Sequence, residues 1–167
     1  MSKKKTSKSA DPRVRVVKTK SGAAGATTVR ETPATIPDDA RKAAWPVRAA
    51  EEGRALAIAC AQSLDQDKCE DVMILDVRGV CQICDFIVLA TGTSDRQMRA
   101  AADHVDESAR QLGEKVYHTS GYEEGTWIVV DFVDVVVHLF SGEMRGYYDL
   151  ESLWGDGVQV EWNTQSK

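Results

Sequence analysis

Two carboxylates and a histidine near the end of the chain are residue types from which a divalent metal site can be built. Of two apolar runs, Trp127–Phe132 and Val135–Phe140, the first contains Asp131 near its end and the second contains His138, and Asp134 lies between them. Alternate side chains of a strand share a face, so Asp134 and His138 would point the same way, with Asp131 joining them across the turn. Carboxylates at a turn are ordinary, however, and a buried histidine is usually hydrogen-bonded within the core. The sequence therefore favours a structural role for these residues and predicts neither a metal nor another cofactor.

A second candidate for chemistry is the segment TGTSDRQ, Thr91–Gln97, in which small polar residues precede a helical pattern. Free N–H groups at a helix N-terminus can hold a phosphate or another anion. The segment lacks both the G-x-x-x-x-G-K-[ST] and the G-x-G-x-x-G spacing of phosphate-binding loops. Ser94 and Gln97 instead form a capping-box pair, which predicts a helix cap rather than an anion site.

Four cysteines, Cys60, Cys69, Cys81 and Cys84, include one C-x-x-C pair. A structural zinc site requires a second pair at similar spacing, which the first two cysteines do not provide. A redox pair is expected at a helix N-terminus, whereas the C-x-x-C pair leads into a strand. The pattern therefore favours free thiols that act as small apolar side chains.

The apolar periodicity predicts the elements that position these residues. A helical stripe from Ala49 to Leu64 precedes two short apolar strands, Val72–Val77 and Phe86–Ala90, and a second helical stripe runs from Met98 through Leu112 to a stop at Gly113. The remaining elements are a strand near Lys115–His118, an antiparallel hairpin formed by the two apolar runs, and a helical turn that Asp149 caps. This order predicts an α/β fold with a mixed sheet of about five strands flanked by helices.

Charge and composition divide the chain into a basic tail and an acidic domain. Residues 1–50 carry 12 Lys+Arg and 4 Asp+Glu, a balance of +8, whereas residues 51–167 carry 9 and 22, a balance of −13. All four prolines and only one aromatic residue lie in the first part, which is too poor in apolar groups to offset the entropy of ordering. We therefore predict a flexible, disordered tail at 1–45, one domain at 46–160 and a short C-terminal tail at 161–167. No run approaches the roughly 20 apolar residues of a membrane span, so we expect no membrane partner.

Three motifs in the acidic domain resemble the ribosomal silencing factor (Iojap) family. They are LDVRG at Leu75–Gly79, CDFIVLATGTSDRQ at Cys84–Gln97, and the block GTWIVVDFVDVVVHLF followed by R..YYDLE.LW, which ends at Trp154. They occur in the order and at the spacing of the family across roughly residues 50–156. The resemblance implies the same architecture, a small relative of the nucleotidyltransferase fold.

The resemblance also implies a function in translation rather than catalysis. Members of the family dock on the large ribosomal subunit, on its protein fourteen, and block joining of the small subunit, so we expect a translational repressor and not an enzyme. A nucleotide- or metal-dependent transferase on the same fold is the alternative. No apolar signal-peptide core follows the early lysines, so we expect a cytoplasmic protein. The first 30 residues hold a single carboxylate, Asp11, which leaves an organellar transit peptide open. Whether the free protein forms a homodimer is also left open.

Carried over by position, the resemblance implies a partner-binding set with two supporting residues. The expected partner-binding residues are Trp127, Asp131, His138, Arg145, Tyr148 and Glu151, and Asp85 and Arg96 are expected to support the shape of the site. Aromatic residues and arginine dominate interface hot spots, and an acidic domain suits a basic protein partner better than nucleic acid. The basic tail is expected to add a weak contact with ribosomal RNA.

Four further expectations concern this aromatic set. Phe140 and Trp154 are assigned to the core, and Trp127 to an exposed position at the entrance of a strand. Tyr147 and Tyr148, taken as an extended segment, would face opposite ways, so that at least one lies away from the core. Val133 occupies a turn position that is often glycine in the family, so we expect a turn without positive φ there.

Overall fold

The computed structural model describes residues 49–163, which form four helices and a six-stranded sheet. The helices are α1 (Ala50–Gln66), α2 (Asp95–Gln111), α3 (Gly142–Tyr148) and α4 (Leu150–Leu153). The strands are β1 (Glu70–Asp76), β2 (Phe86–Gly92), β3 (His118–Ser120), β4 (Trp127–Asp131), β5 (Val135–Ser141) and β6 (Val158–Gln159). The tail predicted at 1–45 and the last four residues of the chain lie outside the described range. Within that range, no helix combines the length and the apolar character needed to cross a membrane.

The sheet has the strand order β3-β4-β5-β2-β1-β6, and its central pair, β2 and β5, runs parallel. The other neighbouring strands run antiparallel. Every residue of β2 is buried, as the unbroken apolar run predicted. The mixed α/β sheet is confirmed, with one strand more than the five predicted. The additional strand, β6, has two exposed residues and therefore no apolar run for a sequence pattern to detect.

One face of the sheet is covered by α1 and α2. The main core combines Cys60 and Leu64 of α1 with Met98 and Val105 of α2, all of them buried. These residues follow the three- and four-residue spacing of the two stripes, which confirms both helices and the apolar role of Cys60. The second stripe extended one residue too far, because Leu112 lies beyond the last helical residue and is half exposed.

The start of α2 confirms the predicted cap. Ser94 Oγ accepts a hydrogen bond from the Gln97 N–H at 3.2 Å. Gln97 Oε1 accepts the N–H of Thr93 at 2.7 Å, and Gln97 Nε2 donates to the carbonyl of Asp67 at 2.8 Å. Each of these polar groups therefore has a hydrogen-bond partner within the protein. The polar residues before α2 serve to begin the helix and to anchor it to the end of α1.

The opposite face of the sheet carries a second apolar cluster. Its buried members include Leu75, Ile87, Leu89, Val136, Phe140 and Leu150. Met144 of α3, Trp154 after α4 and Trp127 of β4 pack against this cluster and are partly buried. Phe140 is therefore a core residue as predicted, while Trp154 is only partly so. This second face positions the candidate site.

The expectation for Val133, which lies in the turn between β4 and β5, was wrong. This valine has a φ of +78°, a left-handed conformation that is unfavourable for a β-branched residue. The N–H of Asp134 donates to the Phe132 carbonyl at 3.1 Å, as in a γ-turn centred on Val133. Asp131 Oδ1 accepts the N–H of Val133 at 2.7 Å, and the valine side chain is buried. The side-chain acceptor and the burial offset the backbone strain.

The segment after β5 also differs from the expectation. Tyr147 and Tyr148 lie in α3 and not in an extended segment, so their side chains are not set on opposite sides of a strand. Ser141 begins this helix by accepting the Met144 N–H on its Oγ at 3.4 Å. The helix ends at Asp149, which has a φ of +42° and also caps α4, as predicted, by accepting the Ser152 N–H at 3.4 Å.

Candidate functional site

Trp127 is the centre of a group of stacked rings on the second face of the sheet. In the antiparallel register it lies opposite Phe140, and the two ring centroids are 5.0 Å apart. The centroid of the Tyr148 ring lies 4.4 Å from the indole, and that of His138 lies 5.9 Å away. Phe140 is buried, Trp127 is partly buried, and Tyr148 is 44% exposed. The stacked rings therefore extend from the core to the surface of the domain.

His138 is held as a neutral imidazole within this group. Trp127 Nε1 donates a hydrogen bond to His138 Nδ1 at 3.2 Å. A ring nitrogen that accepts a hydrogen bond carries no proton, so the proton of the neutral ring resides on Nε2. Burial lowers the pKa of His138 to about 4, because the charged form is poorly solvated there. At neutral pH this residue is an uncharged structural acceptor.

The residues considered as metal ligands lie in or beside the hairpin, where each makes a contact within the protein. Asp131 caps the turn through the N–H of Val133. The backbone carbonyl of Asp134 accepts the N–H of Asp85 at 2.8 Å, and His138 bonds to the indole. Across residues 49–163, no group of three or more histidine, cysteine or acidic side chains is arranged so that it could hold a metal ion.

Arg145 ties α3 to three other elements. Its side chain is only 12% exposed. Its Nε donates to Glu151 Oε1 at 2.7 Å, and Nη2 lies 2.6 Å from the same oxygen. Nη1 donates to Thr91 Oγ1 at 2.9 Å and to the backbone carbonyl of Asp71 at 2.8 Å. Two residues predicted to bind a partner are therefore paired with each other, and this pairing holds α3 and α4 in place.

The exposed part of the site is the α3–α4 surface, which we define as Tyr147, Tyr148 and Leu153. Tyr147 is 78% exposed and Leu153 is 66% exposed. The two tyrosine rings meet edge to face with centroids 5.0 Å apart. Exposed apolar patches mark protein–protein interaction sites, so this surface is the candidate for contact with a partner.

The charge around the α3–α4 surface is negative. Three carboxylates of this segment are exposed: Glu143, Asp149 and Asp156. The single basic side chain between them, Arg145, is already paired with Glu151. A partner that covers this surface would therefore meet apolar rings within a field of negative charge.

The two residues expected to support the site lie elsewhere. Asp85 precedes β2, where its N–H bonds to Asp134 and its carbonyl accepts the Val77 N–H at 2.9 Å. Arg96 is exposed in the first turn of α2. The structure joins neither of them to the ring group.

Sequence reasoning missed two members of the surface and one of its supports. Leu153 was not singled out, and Tyr147 was not assigned to the site. Thr91 was interpreted as part of a helix start, whereas its hydroxyl accepts from Arg145. The spacing of Leu150 and Leu153 gave no signal, because residues three apart in a helix share a face, yet Leu150 is buried and Leu153 is exposed.

Known proteins resemble the chain over this whole domain. Residues 50–167 match the model of the family described as ribosomal silencing factor during starvation. A ribosomal silencing factor of Bacillus subtilis is 40% identical over 96 residues, which are 58% of this chain and 81% of the relative. One of Halalkalibacterium halodurans is 38% identical over 99 residues, 59% of this chain and 85% of the relative.

A solved structure agrees with the fold. A crystal structure of a Chromobacterium violaceum protein superposes with a TM-score of 0.59 at 33% sequence identity, covering 71% of this chain and 96% of that one. The motifs, the mixed sheet and the family model, which matches well over half of the chain, lead to one conclusion. The chain belongs to the ribosomal silencing factor family.

Proposed function

We propose that this protein is a translational repressor that binds the large ribosomal subunit, through its protein fourteen, and blocks joining of the small subunit. Membership of a family named for silencing ribosomes supports the ribosome as the target. The choice of subunit and of the contacted protein is our inference from the family resemblance and from the chemistry of the α3–α4 surface.

The observation that carries the proposal is the exposure of Tyr147, Tyr148 and Leu153 on two consecutive short helices. Tyrosine is among the residue types that dominate the binding energy of protein interfaces. Covering these side chains removes apolar area from water, which contributes roughly 25 cal/mol for each Å² buried. The contact is therefore expected to depend on a few anchors rather than on the whole domain.

The base of the surface favours docking without rearrangement. Tyr148 rests on Trp127, which is itself stacked on the buried ring of Phe140. Arg145 and Glu151 lock the two helices to each other. Side chains that are already ordered lose less entropy when a partner binds, so this surface is suited to tight contact over a small area.

The charge of the domain selects the kind of partner. Its balance of −13 disfavours direct contact with ribosomal RNA and favours a basic protein surface. The exposed carboxylates Glu143 and Asp149 border the apolar anchors, where they can pair with lysine or arginine of the partner. A basic ribosomal protein fits this description.

Repression by occlusion requires position and no reactive group. A domain fixed at the subunit-joining face of the large subunit excludes the small subunit by its volume alone. We therefore assign the protein no catalytic step. Because relatives with the same domain are bacterial proteins, we place the protein in the cytoplasm, with an organelle as the alternative if the N-terminal segment is a transit peptide.

Sedimentation with purified ribosomal subunits tests the proposal. The full chain should co-sediment with large subunits and not with small ones, and it should lower the yield of joined ribosomes in a reassociation assay. Equal binding to both subunits, or unchanged reassociation with excess protein, would falsify the proposal. Sedimentation of the protein alone reports in the same experiment whether the free form is a homodimer.

Two exposed leucines at helix ends provide a matched pair of variants. Leu153 lies on the α3–α4 surface, and Leu112 lies at the end of α2; both are at least half exposed. Leu153→Ala should weaken binding to large subunits, whereas Leu112→Ala should leave it unchanged. The reverse result would place the contact on the helical face of the domain.

A further inference from the structure

The loop between β1 and β2 brings the two cysteines of the C-x-x-C pair together. The Sγ atoms of Cys81 and Cys84 are 3.9 Å apart. Cys84 is 4% exposed and belongs to the second apolar cluster, whereas Cys81 is only partly buried. The sulfurs of a disulfide lie about 2.05 Å apart. The two sulfurs would therefore have to approach each other by about 1.9 Å to form a disulfide.

The backbone around the pair is anchored at both ends. The N–H of Cys81 donates to the Val77 carbonyl at 2.7 Å, in a turn where Gly79 has a φ of +80°. Cys84 leads directly into β2, the buried central strand. Between the two cysteines, residues 82–83 are exposed. The thiols are thus held close to each other while the residues between them face solvent and can adjust.

We propose that Cys81 and Cys84 are an oxidation site, which forms a reversible intramolecular disulfide by exchange with a small disulfide of the glutathione class. The Cys81 thiolate attacks one sulfur of the small disulfide, forms a mixed disulfide and releases one small thiolate. The Cys84 thiolate then attacks the Cys81 sulfur and releases the second. Two protein thiols are oxidised by two electrons, one small disulfide is reduced to two thiols, and the two protons of the protein thiols are transferred to the products.

The order of the two attacks follows from exposure. Only Cys81 can be reached by a small molecule without opening the core, and its Sγ accepts the N–H of Ile83 at 3.3 Å, which orients the sulfur. Cys84 lies beneath it as the resolving thiol. A C-x-x-C pair can thus act in exchange although it precedes a strand, because the turn at Val77 brings the sulfurs within reach.

The other two cysteines provide a contrast within the same chain. Cys60 is fully buried in α1. Burial raises the pKa of the Cys69 thiol to about 11, so Cys69 remains a thiol at neutral pH. Because the thiolate is the attacking species, neither should react while the domain is folded.

Alkylation after exposure to glutathione disulfide tests the proposal on the full chain. The reduced protein is incubated with mixtures of glutathione and its disulfide, quenched with acid, unfolded, alkylated and digested with trypsin. Cleavage after Arg54, Lys68, Arg78 and Arg96 places Cys60, Cys69 and the Cys81–Cys84 pair on three different peptides. We expect the peptide 79–96 to carry no alkyl group and to weigh two hydrogens less than its dithiol form, and the other two peptides to stay fully alkylated.

Three results would overturn the proposal. In the first, the peptide 79–96 stays alkylated at both cysteines. In the second, a mixed disulfide with glutathione persists at Cys81. In the third, a disulfide links two chains. Cys84→Ser should stop the reaction at the mixed disulfide, and Cys81→Ser should abolish it. If Cys84 reacts equally well in the Cys81→Ser variant, the assignment of the attacking thiol is wrong. Circular dichroism of both variants checks that they are folded.

Discussion

The indole Nε1–H of Trp127 donates a hydrogen bond to Nδ1 of His138 on the neighbouring strand, 3.2 Å away. The bond gives each of two partly buried polar groups a hydrogen-bond partner in place of water. It also fixes the indole in the orientation in which Tyr148 packs against it. A histidine in an apolar strand thus supports an aromatic surface rather than a reactive centre.

The first prediction concerns the dependence of stability on pH. His138 has a pKa of about 4 in the folded domain, against about 6.5 for an unperturbed histidine. Above pH 6.5 the residue is neutral in both states and contributes no pH dependence. Between pH 6.5 and 4 the unfolded chain binds a proton that the folded chain does not, so the free energy of unfolding should fall by up to about 3 kcal/mol.

Urea unfolding at pH 7 and at pH 4.5 measures this loss. His138→Gln should reduce the difference between the two pH values, because glutamine can accept the indole N–H and does not titrate. His118→Gln, which removes an exposed histidine of β3, is the control and should retain the difference. Equal pH dependence in wild type and His138→Gln would contradict the assignment.

The second prediction separates docking from packing. Tyr148→Ala should lose about 2 kcal/mol of binding to large subunits, close to thirtyfold in affinity, with a small loss of stability because its ring is 44% exposed. Phe140→Ala should lose about 3–5 kcal/mol of folding stability because its ring is buried. Trp127→Ala should lose both, because its indole is partly buried between these two rings. Melting curves and co-sedimentation measure the two effects; a Tyr148→Ala protein that melts like Phe140→Ala would mark Tyr148 as core.

The third prediction concerns Arg145. Replacing it with lysine keeps the charge, but a single ammonium cannot reach Glu151, Thr91 and Asp71 at once. Of these acceptors Thr91 is buried, and a buried acceptor left without its donor costs about 1–3 kcal/mol, so we expect Arg145→Lys to lose about that much stability. Arg96→Lys, at an exposed position, should change stability by less than about 0.5 kcal/mol. Similar urea midpoints for the two variants would show that the Arg145 contacts contribute little.

The fourth prediction uses the positive φ of Val133. Alanine and glycine both remove the buried methyl groups, but only glycine adopts a φ of +78° without strain. Val133→Gly should therefore be more stable than Val133→Ala by about 1 kcal/mol. The same two substitutions at Val130, a buried residue of β4, should rank in the opposite order, because glycine weakens a strand. If alanine is the better residue at both positions, the turn is not strained in solution.

The fifth prediction concerns the basic segment 1–45, which lies outside the described residues. Its lysines and arginines should add salt-sensitive attraction to exposed ribosomal RNA by releasing counterions. Deleting residues 1–45 should weaken binding to large subunits modestly and flatten its dependence on salt, while the domain stays folded. Binding with an unchanged salt slope would leave the segment some other role, such as targeting.

Much of the fold follows from local patterns in the sequence. The stripes of α1 and α2 follow the helical period, and Ser94 and Gln97 mark the start of α2, because capping depends on neighbours three residues apart. The two apolar runs at 127–140 likewise predict the hairpin, because they are neighbours along the chain. The order of the motifs identified the family before any contact between distant residues was known.

What the local patterns could not predict depends on residues that are far apart in the chain. The sequence named Arg145 and Glu151 as binding residues, but the bonds from Arg145 to Asp71 and Thr91 span 74 and 54 positions. These contacts show that Arg145 is largely covered and paired within the domain. The left-handed φ of Val133 likewise arises because burial of its side chain and the Asp131 carboxylate outweigh its intrinsic preference.

The sequence by itself therefore determined the family, the two long helices, the hairpin and the acidic character of the domain, since each follows from composition or from neighbours along the chain. Only the tertiary structure decided which apolar residues remain outside the core. Leu153 has the same residue type as the buried Leu150 of the same helix, and no periodicity marks Tyr147, Tyr148 or Leu153 as exposed. Their exposure results from how α3 and α4 pack on the second face of the sheet, which the contacts of Arg145 and Trp127 fix.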